Sequence, residues 1–136
     1  MPRVTSQIVV MGAPYSGRTT LGKKLANHYG FIYVSTSFLI AEEIRKESIH
    51  GKKIKEQYLR GEQVDNFLIE KLIDERISQK DCRMMGFVLE GYPKNQSQMD
   101  NIKHMRLNPT LFVAIDTPRA ISEQRAACEP DRFATR

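Results

Sequence analysis

Gly12-Ala13-Pro14-Tyr15-Ser16-Gly17-Arg18-Thr19-Thr20 stands between an apolar run, Ile8-Val9-Val10-Met11, and a segment with apolar residues at helical spacing, Leu21 to Tyr29. The run before it reads as a buried parallel strand. A strand, a glycine-bounded turn and a helix together make the setting of a phosphate-binding loop. Two glycines let the backbone wrap with its N–H groups inward, and the positive end of the helix adds to the field there. The spacing is Gly, four residues, Gly, a cation, then Thr, with Arg18 where lysine is usual. A guanidinium keeps the charge but is planar and bulkier, so the two are not equivalent. The same residues also fit a plain glycine-rich turn with Arg18 as a surface cation. Tyr15 replaces a small loop residue and is placed to crowd the cradle.

Working outward, strand one is predicted over residues 7–12 and a first helix from the loop to Tyr29, stopped by Gly30. Phe31-Ile32-Tyr33-Val34 reads as a second strand, and Ser35-Thr36-Ser37 as the cap of a helix fading near Ser48. Gly51 reads as a chain break, residues 52–60 as a short basic helix, and Gly61 as its end. Val64 to Ser78 is predicted as the most regular helix, with Val64, Phe67, Leu68, Leu72, Ile73 and Ile77 on one face. Phe87-Val88-Leu89 reads as a third strand ending at Glu90, followed by a turn at Gly91 and Pro93. Asn95 is placed to cap a helix to about Arg106, Leu111 to Ile115 is a fourth strand, and Pro118 begins a last helix. Alternating strands and helices call for a parallel sheet with right-handed crossovers. Ligands bind beyond the carboxyl ends of such strands, where Gly12, Ser35, Glu90 and Asp116 all fall.

Composition narrows the function. The chain has 136 residues, 40% hydrophobic and 27% charged, enough for one domain with a core. Its net charge is +5, but the basic residues are interspersed with acids on helical segments, which speaks against nucleic acid as a partner. Cys82 and Cys128 make no metal or disulfide pattern and read as reduced thiols, which points to the cytoplasm. No signal-like N-terminus or membrane-length apolar run is present in the sequence. His28, His50 and His104 lack metal-ligand spacing.

Several motifs in one order make the chain resemble the adenylate kinase family. They are Gly12-x-Pro14-x-x-Gly17-Arg18-x-Thr20, Val34-Ser35-Thr36, Gly61-Glu62-Gln63-Val64, Asp81-Cys82-Arg83, and Gly86-Phe87-Val88-Leu89-Glu90-Gly91-Tyr92-Pro93-Lys94 with Gln98. The similarity runs from about residue 7 to about residue 125. It implies an α/β, P-loop NTPase-like three-layer sandwich with parallel strands in the order 2-3-1-4 and the fifth strand missing. It also implies a single domain over residues 1–136, with monophosphate-binding helices at about 35–79 and an incomplete C-terminus.

The resemblance implies a nucleoside monophosphate kinase moving a phosphoryl group from ATP-Mg²⁺ to AMP or a related monophosphate. Gly12, Ser16, Gly17, Arg18, Thr19 and Thr20 would hold the ATP phosphates. Thr36, Gln63, Val64, Gly91, Lys94 and Gln98 would line the monophosphate, with Arg18, Lys94 and Arg125 in catalytic roles. Glu90, through water, and Thr19 would serve Mg²⁺. Departures from the family pattern imply a second reading. Ser37-Phe38 replaces Gly-Asp, Ala41 replaces a monophosphate arginine, Lys94 replaces an arginine, and Glu90 replaces an aspartate. A second arginine expected beyond Arg125 falls at Glu129, with Arg132 or Arg136 as substitutes. The family's lid, fifth strand and last helix would follow Arg136. The second reading is a catalytically impaired, kinase-derived module for nucleotide binding or assembly, with another chain or more of the same chain covering the edge of strand 111–115. Taken singly, Lys94 and Arg125 also fit surface cations, Thr36 a helix cap, and Glu90 a strand-end carboxylate.

Overall fold

The computed structural model describes residues 5–13 and 15–128. Strands β1 (Gln7–Gly12), β2 (Ile32–Ser35), β3 (Phe87–Glu90) and β4 (Leu111–Ile115) form one parallel sheet. Their order is β2-β3-β1-β4, the order expected from sequence. The register sets Val10 opposite Glu90 and Glu90 opposite Ser35, so β2 and β3 end at one level while β1 runs two residues further, to Gly12 opposite Ile115 of β4. β1 and β3 lie in the middle; every residue of β3 is buried, as is the Ile8-Val9-Val10 run of β1.

Side chains alternate between the faces of the sheet. Ile8, Val10 and Val88 pack with Ala26 of α1 (Arg18–Tyr29) on one face. Val9, Val34 and Leu89 pack on the other with Ile69, Ile73 and Ile77 of α4 (Asn66–Ile77). A satellite core of Ile54, Leu68 and Leu72 joins α4 to α3 (Ile49–Leu59) and, through Ile40 and Ile44, to α2 (Thr36–Arg45). Ile73 has no exposed surface, and burying such a side chain stabilises the fold by about 2 kcal/mol. The remaining helices are α5 (Lys80–Met85), α6 (Gln96–Asn101), which runs into a 3-10 turn at Ile102–His104, and α7 (Arg119–Cys128).

The caps hold as read at Gly30, which is left-handed at φ 73° with its N–H on the Ala26 carbonyl, and at Ser35, whose hydroxyl accepts from Phe38 N. Three expectations need correction. Gly51 does not break the chain; it lies in the first turn of α3, and the Ser48 hydroxyl caps that helix by accepting from Gly51 N. A side chain at Gly51 would collide with the Glu43 carbonyl, so the glycine serves the close approach of α2 and α3. Phe67 does not join the buried face of α4: it is 65% exposed, and Ile69 is buried instead. The helix after Asn95 is not continuous to Arg106, because α6 tightens to a 3-10 turn after Asn101. No helix among the described residues is long and apolar enough to cross a membrane. Cys82 and Cys128 are both free, the first buried and the second exposed.

Candidate nucleotide site

The loop between β1 and α1 is bounded by the two glycines, Gly12 and Gly17. Gly17, at φ 96°, occupies the left-handed region and caps α1 without a side-chain bond, so among the described residues no side chain takes the first N–H groups of the helix, which suits an anion. Tyr15 also has positive φ, 62°, but its side chain is 41% exposed rather than packed into the loop. Its carbonyl accepts from Arg125 Nη1 at 3.0 Å, which brings α7 over the loop. The Thr117 hydroxyl donates to the Ser16 carbonyl at 2.9 Å, a second tie from the far side of β4.

Ser16 supplies the clearest sign of a ligand seat. Its Oγ is buried without a hydrogen-bond partner among the described residues. Leaving a buried hydroxyl unpaired costs about 1–3 kcal/mol, so an acceptor or donor entering the loop would recover that energy. A Cβ on Gly12 would lie 2.5 Å from this oxygen, so only glycine leaves the space open. These features fit a polyphosphate chain.

Arg18 lies at the first position of α1 with its side chain turned to the end of β3. Its Nε is 2.6 Å from Glu90 Oε1, and its Nη1 donates to the Gly12 carbonyl at 2.8 Å. Glu90 Oε2 accepts from the Tyr33 hydroxyl at 3.1 Å. Burial first, and the Glu90 charge second, push the Tyr33 hydroxyl up to about 12. Lys94 lies on the loop after β3 and is exposed as a whole residue, while desolvation of its ammonium first, and the positive Arg18 second, shift that group down. Arg18, Glu90 and Lys94 therefore form one electrostatic group.

The expected monophosphate residues are placed unevenly. Thr36 is buried at the N-terminus of α2, its hydroxyl donating to the Glu90 carbonyl at 3.0 Å. Gly91, at φ 95°, lies beneath it; a Cβ there would be 3.3 Å from Thr36 Cβ. Gln98 is buried and ties the loop after β3 to α4: its Oε1 accepts from Lys94 N at 2.7 Å, and its Nε2 donates to Asn66 Oδ1 at 3.0 Å. Val64 is half-buried and Gln63 exposed, both on the segment between α3 and α4. Thr19 and Thr20 are exposed on the first turn of α1, as is Asp116 beyond β4. Glu129, Arg132 and Arg136 lie outside the described residues. Sequence reasoning did not single out Tyr33, Gly22 or Asn66. Tyr33 was one apolar-strand residue among four, and only its register opposite Val88, beside Glu90, reveals its role.

Mg²⁺ fits this donor set poorly. Glu90 Oε2 already accepts a hydrogen bond from Tyr33, and a cation at Oε1 would meet the guanidinium of Arg18 paired there. Among the described residues no three His, Cys, Asp or Glu side chains gather as a metal seat.

Comparison with known proteins agrees with the geometry. The adenylate kinase family model matches residues 10–132. Adenylate kinase from Buchnera aphidicola (subsp. Schizaphis graminum) is 37% identical over 112 residues, 82% of this chain and 52% of that protein. Adenylate kinase from Thermotoga petrophila is 34% identical, over 87% of this chain and 56% of the relative. Probable adenylate kinase 2, chloroplastic, from Oryza sativa (subsp. japonica) is 29% identical, over 88% and 41%. The chain thus spans about half the length of the curated relatives it matches. With its strand order, its glycine loop and a family match across nearly its whole length, the chain belongs to the adenylate kinase family.

Proposed function

We propose that the protein containing this chain is a nucleoside monophosphate kinase, transferring a phosphoryl group from ATP to AMP or a related monophosphate. The observation that carries this reading is the loop at the N-terminus of α1, where Ser16 Oγ is buried without a partner and Gly12 leaves space beside it. Free N–H groups of α1 would take the phosphate oxygens. Arg18, Lys94 and Arg125 would neutralise charge as it moves between the nucleotides, which in phosphoryl transfer is the larger part of catalysis. Thr36, Gly91 and Gln98 would floor the monophosphate groove, with Gln63 and Val64 at its rim. Mg²⁺ is used by the family in general, and no residue of this chain is assigned to it. A cytoplasmic location is supported by the two free thiols.

One observation favours the impaired-module reading. Arg18 is engaged by Glu90 and by the Gly12 carbonyl, so the charge of the loop cation is partly neutralised from within the chain before any phosphate arrives. The test is coupled formation of ADP from ATP and AMP by the purified chain. The enzyme reading expects turnover that falls by about a hundredfold or more in Arg18→Ala, the scale of losing one charge-stabilising donor. Nucleotide binding without any turnover in the wild type would leave the module reading in its place.

A further inference from the structure

The loop cation and the carboxylate at the end of β3 are partners of each other, in a place nearly closed to water. The Arg18 side chain is 17% exposed and that of Glu90 4%. A charge so placed must be compensated, and here the compensation comes from within the chain. Three elements build it: α1 gives Arg18, β3 gives Glu90, and β2 gives Tyr33, whose hydroxyl occupies the second carboxylate oxygen. Gly22 of α1 makes the room, since a Cβ there would lie 3.0 Å from the Tyr33 ring and 3.7 Å from Glu90 Cβ.

We propose that Glu90 is the built-in counter-ion of Arg18, held in place by Tyr33 as a positioning residue, and that the loop accepts a polyphosphate as the metal-free anion. This rests on the nucleotide-binding reading above. A phosphate chain entering the loop competes with Glu90 for the guanidinium. Arg18 donates from Nη1 to the Gly12 carbonyl and pairs with Glu90 through Nε at 2.6 Å, so its other N–H groups can meet phosphate while the pair persists. A divalent ion gains nothing at Glu90, where it would have to displace either a guanidinium or a hydroxyl. The raised Tyr33 hydroxyl stays protonated through the neutral range and remains a donor to Glu90.

Calorimetric titration of the 136-residue chain with ATP, once in EDTA and once with excess Mg²⁺, tests this. The wild type should bind the EDTA form at least as tightly as the Mg²⁺ form. Glu90→Gln should tighten metal-free binding by about tenfold, since the competing carboxylate is gone. Tyr33→Phe, which frees Oε2, should create a several-fold preference for the Mg²⁺ form. A wild type that binds ATP at least about tenfold more tightly with Mg²⁺, and loses that preference in Glu90→Gln, overturns the proposal. If the wild type binds ATP in neither form, the proposed function fails by itself. The counter-ion assignment is then decided by a double-mutant cycle of thermal midpoints on Arg18→Met and Glu90→Gln. Non-additive shifts uphold it, and additive shifts overturn it.

Discussion

Asp81 shows how a single side chain is tuned far from the loop. Arg76 grips it through both carboxylate oxygens, each at 2.8 Å, and Cys82 N adds a third bond at 2.7 Å. The Arg76 hydrogen bond, the largest influence, holds the carboxyl down at about 2. A carboxylate depressed on folding stabilises the fold above its unfolded pKa of about 4 and loses that contribution as pH falls through about 2. Because the Asp81 side chain is 45% exposed, solvent limits the pair to about 1 kcal/mol. Asp81→Asn should therefore be about 1 kcal/mol less stable than wild type in urea at pH 7, with the gap closing toward pH 2. A gap that persists at pH 2 would locate the effect elsewhere. This pair was half legible, because Asp81-Cys82-Arg83 stood out as a motif while Arg76 did not. Glu90 and Arg18 behave the same way: each could be marked from its local pattern, yet their contact depends on the register of β3 against β1. Side-chain pairing across a parallel sheet leaves no trace in spacing along the chain.

Glycines mark the elements, and they act through two different physical causes. Gly30 ends α1 in the left-handed region with nothing near its missing side chain. Gly30→Ala should cost about 1 kcal/mol, the strain of a left-handed alanine, and no more. Gly51 lies in a helix of ordinary hand, where an added methyl would strike the Glu43 carbonyl. Gly51→Ala should cost about 2 kcal/mol or more despite alanine's better helix propensity, because backbone cannot step aside as a side chain can. Denaturant unfolding of both variants would check the ranking; equal costs would mean that α2 and α3 can part freely. The contrast explains what was legible at this scale. A glycine after a helix is readable because the cap is local. A glycine within one reads as a breaker until the neighbouring helix is known. Phe67 is the same lesson in reverse: periodicity places it on the apolar face of α4, but no element covers that part of the face. The loop of residues 12–20 was legible because glycine spacing, strand and helix are contiguous in sequence. Whether its cation faced phosphate or carboxylate was not.

At the scale of the whole sheet, the two edges differ. On one side β2 is largely shielded, with Val34 buried and the other three residues half-buried. On the other side β4 carries Leu-Phe-Val-Ala-Ile with no charge and no proline, and among the described residues no strand pairs with its outer edge. Leu111 is 53% exposed and Phe112 44%, so both apolar side chains and free backbone groups face water there. Such an edge lacks the lysines, bulges or prolines that prevent pairing with another strand. The Phe112 side also borders a recess of about 570 Å³ of mixed character, with Met99, Met105 and Leu107 in its wall beside Asp100, Lys103 and Asn108. The 136-residue chain should therefore self-associate as its concentration rises, with light scattering reporting growth beyond a monomer. Phe112→Lys should reduce that association strongly while changing the thermal midpoint little, because the ring is already half in water and the ladder to β1 uses backbone atoms. If Phe112→Lys unfolded the chain, the ring would have to be supporting the sheet from within. If the wild type stayed monomeric at high concentration, the β4 edge would not be adhesive, and a second chain covering it would lose its physical basis.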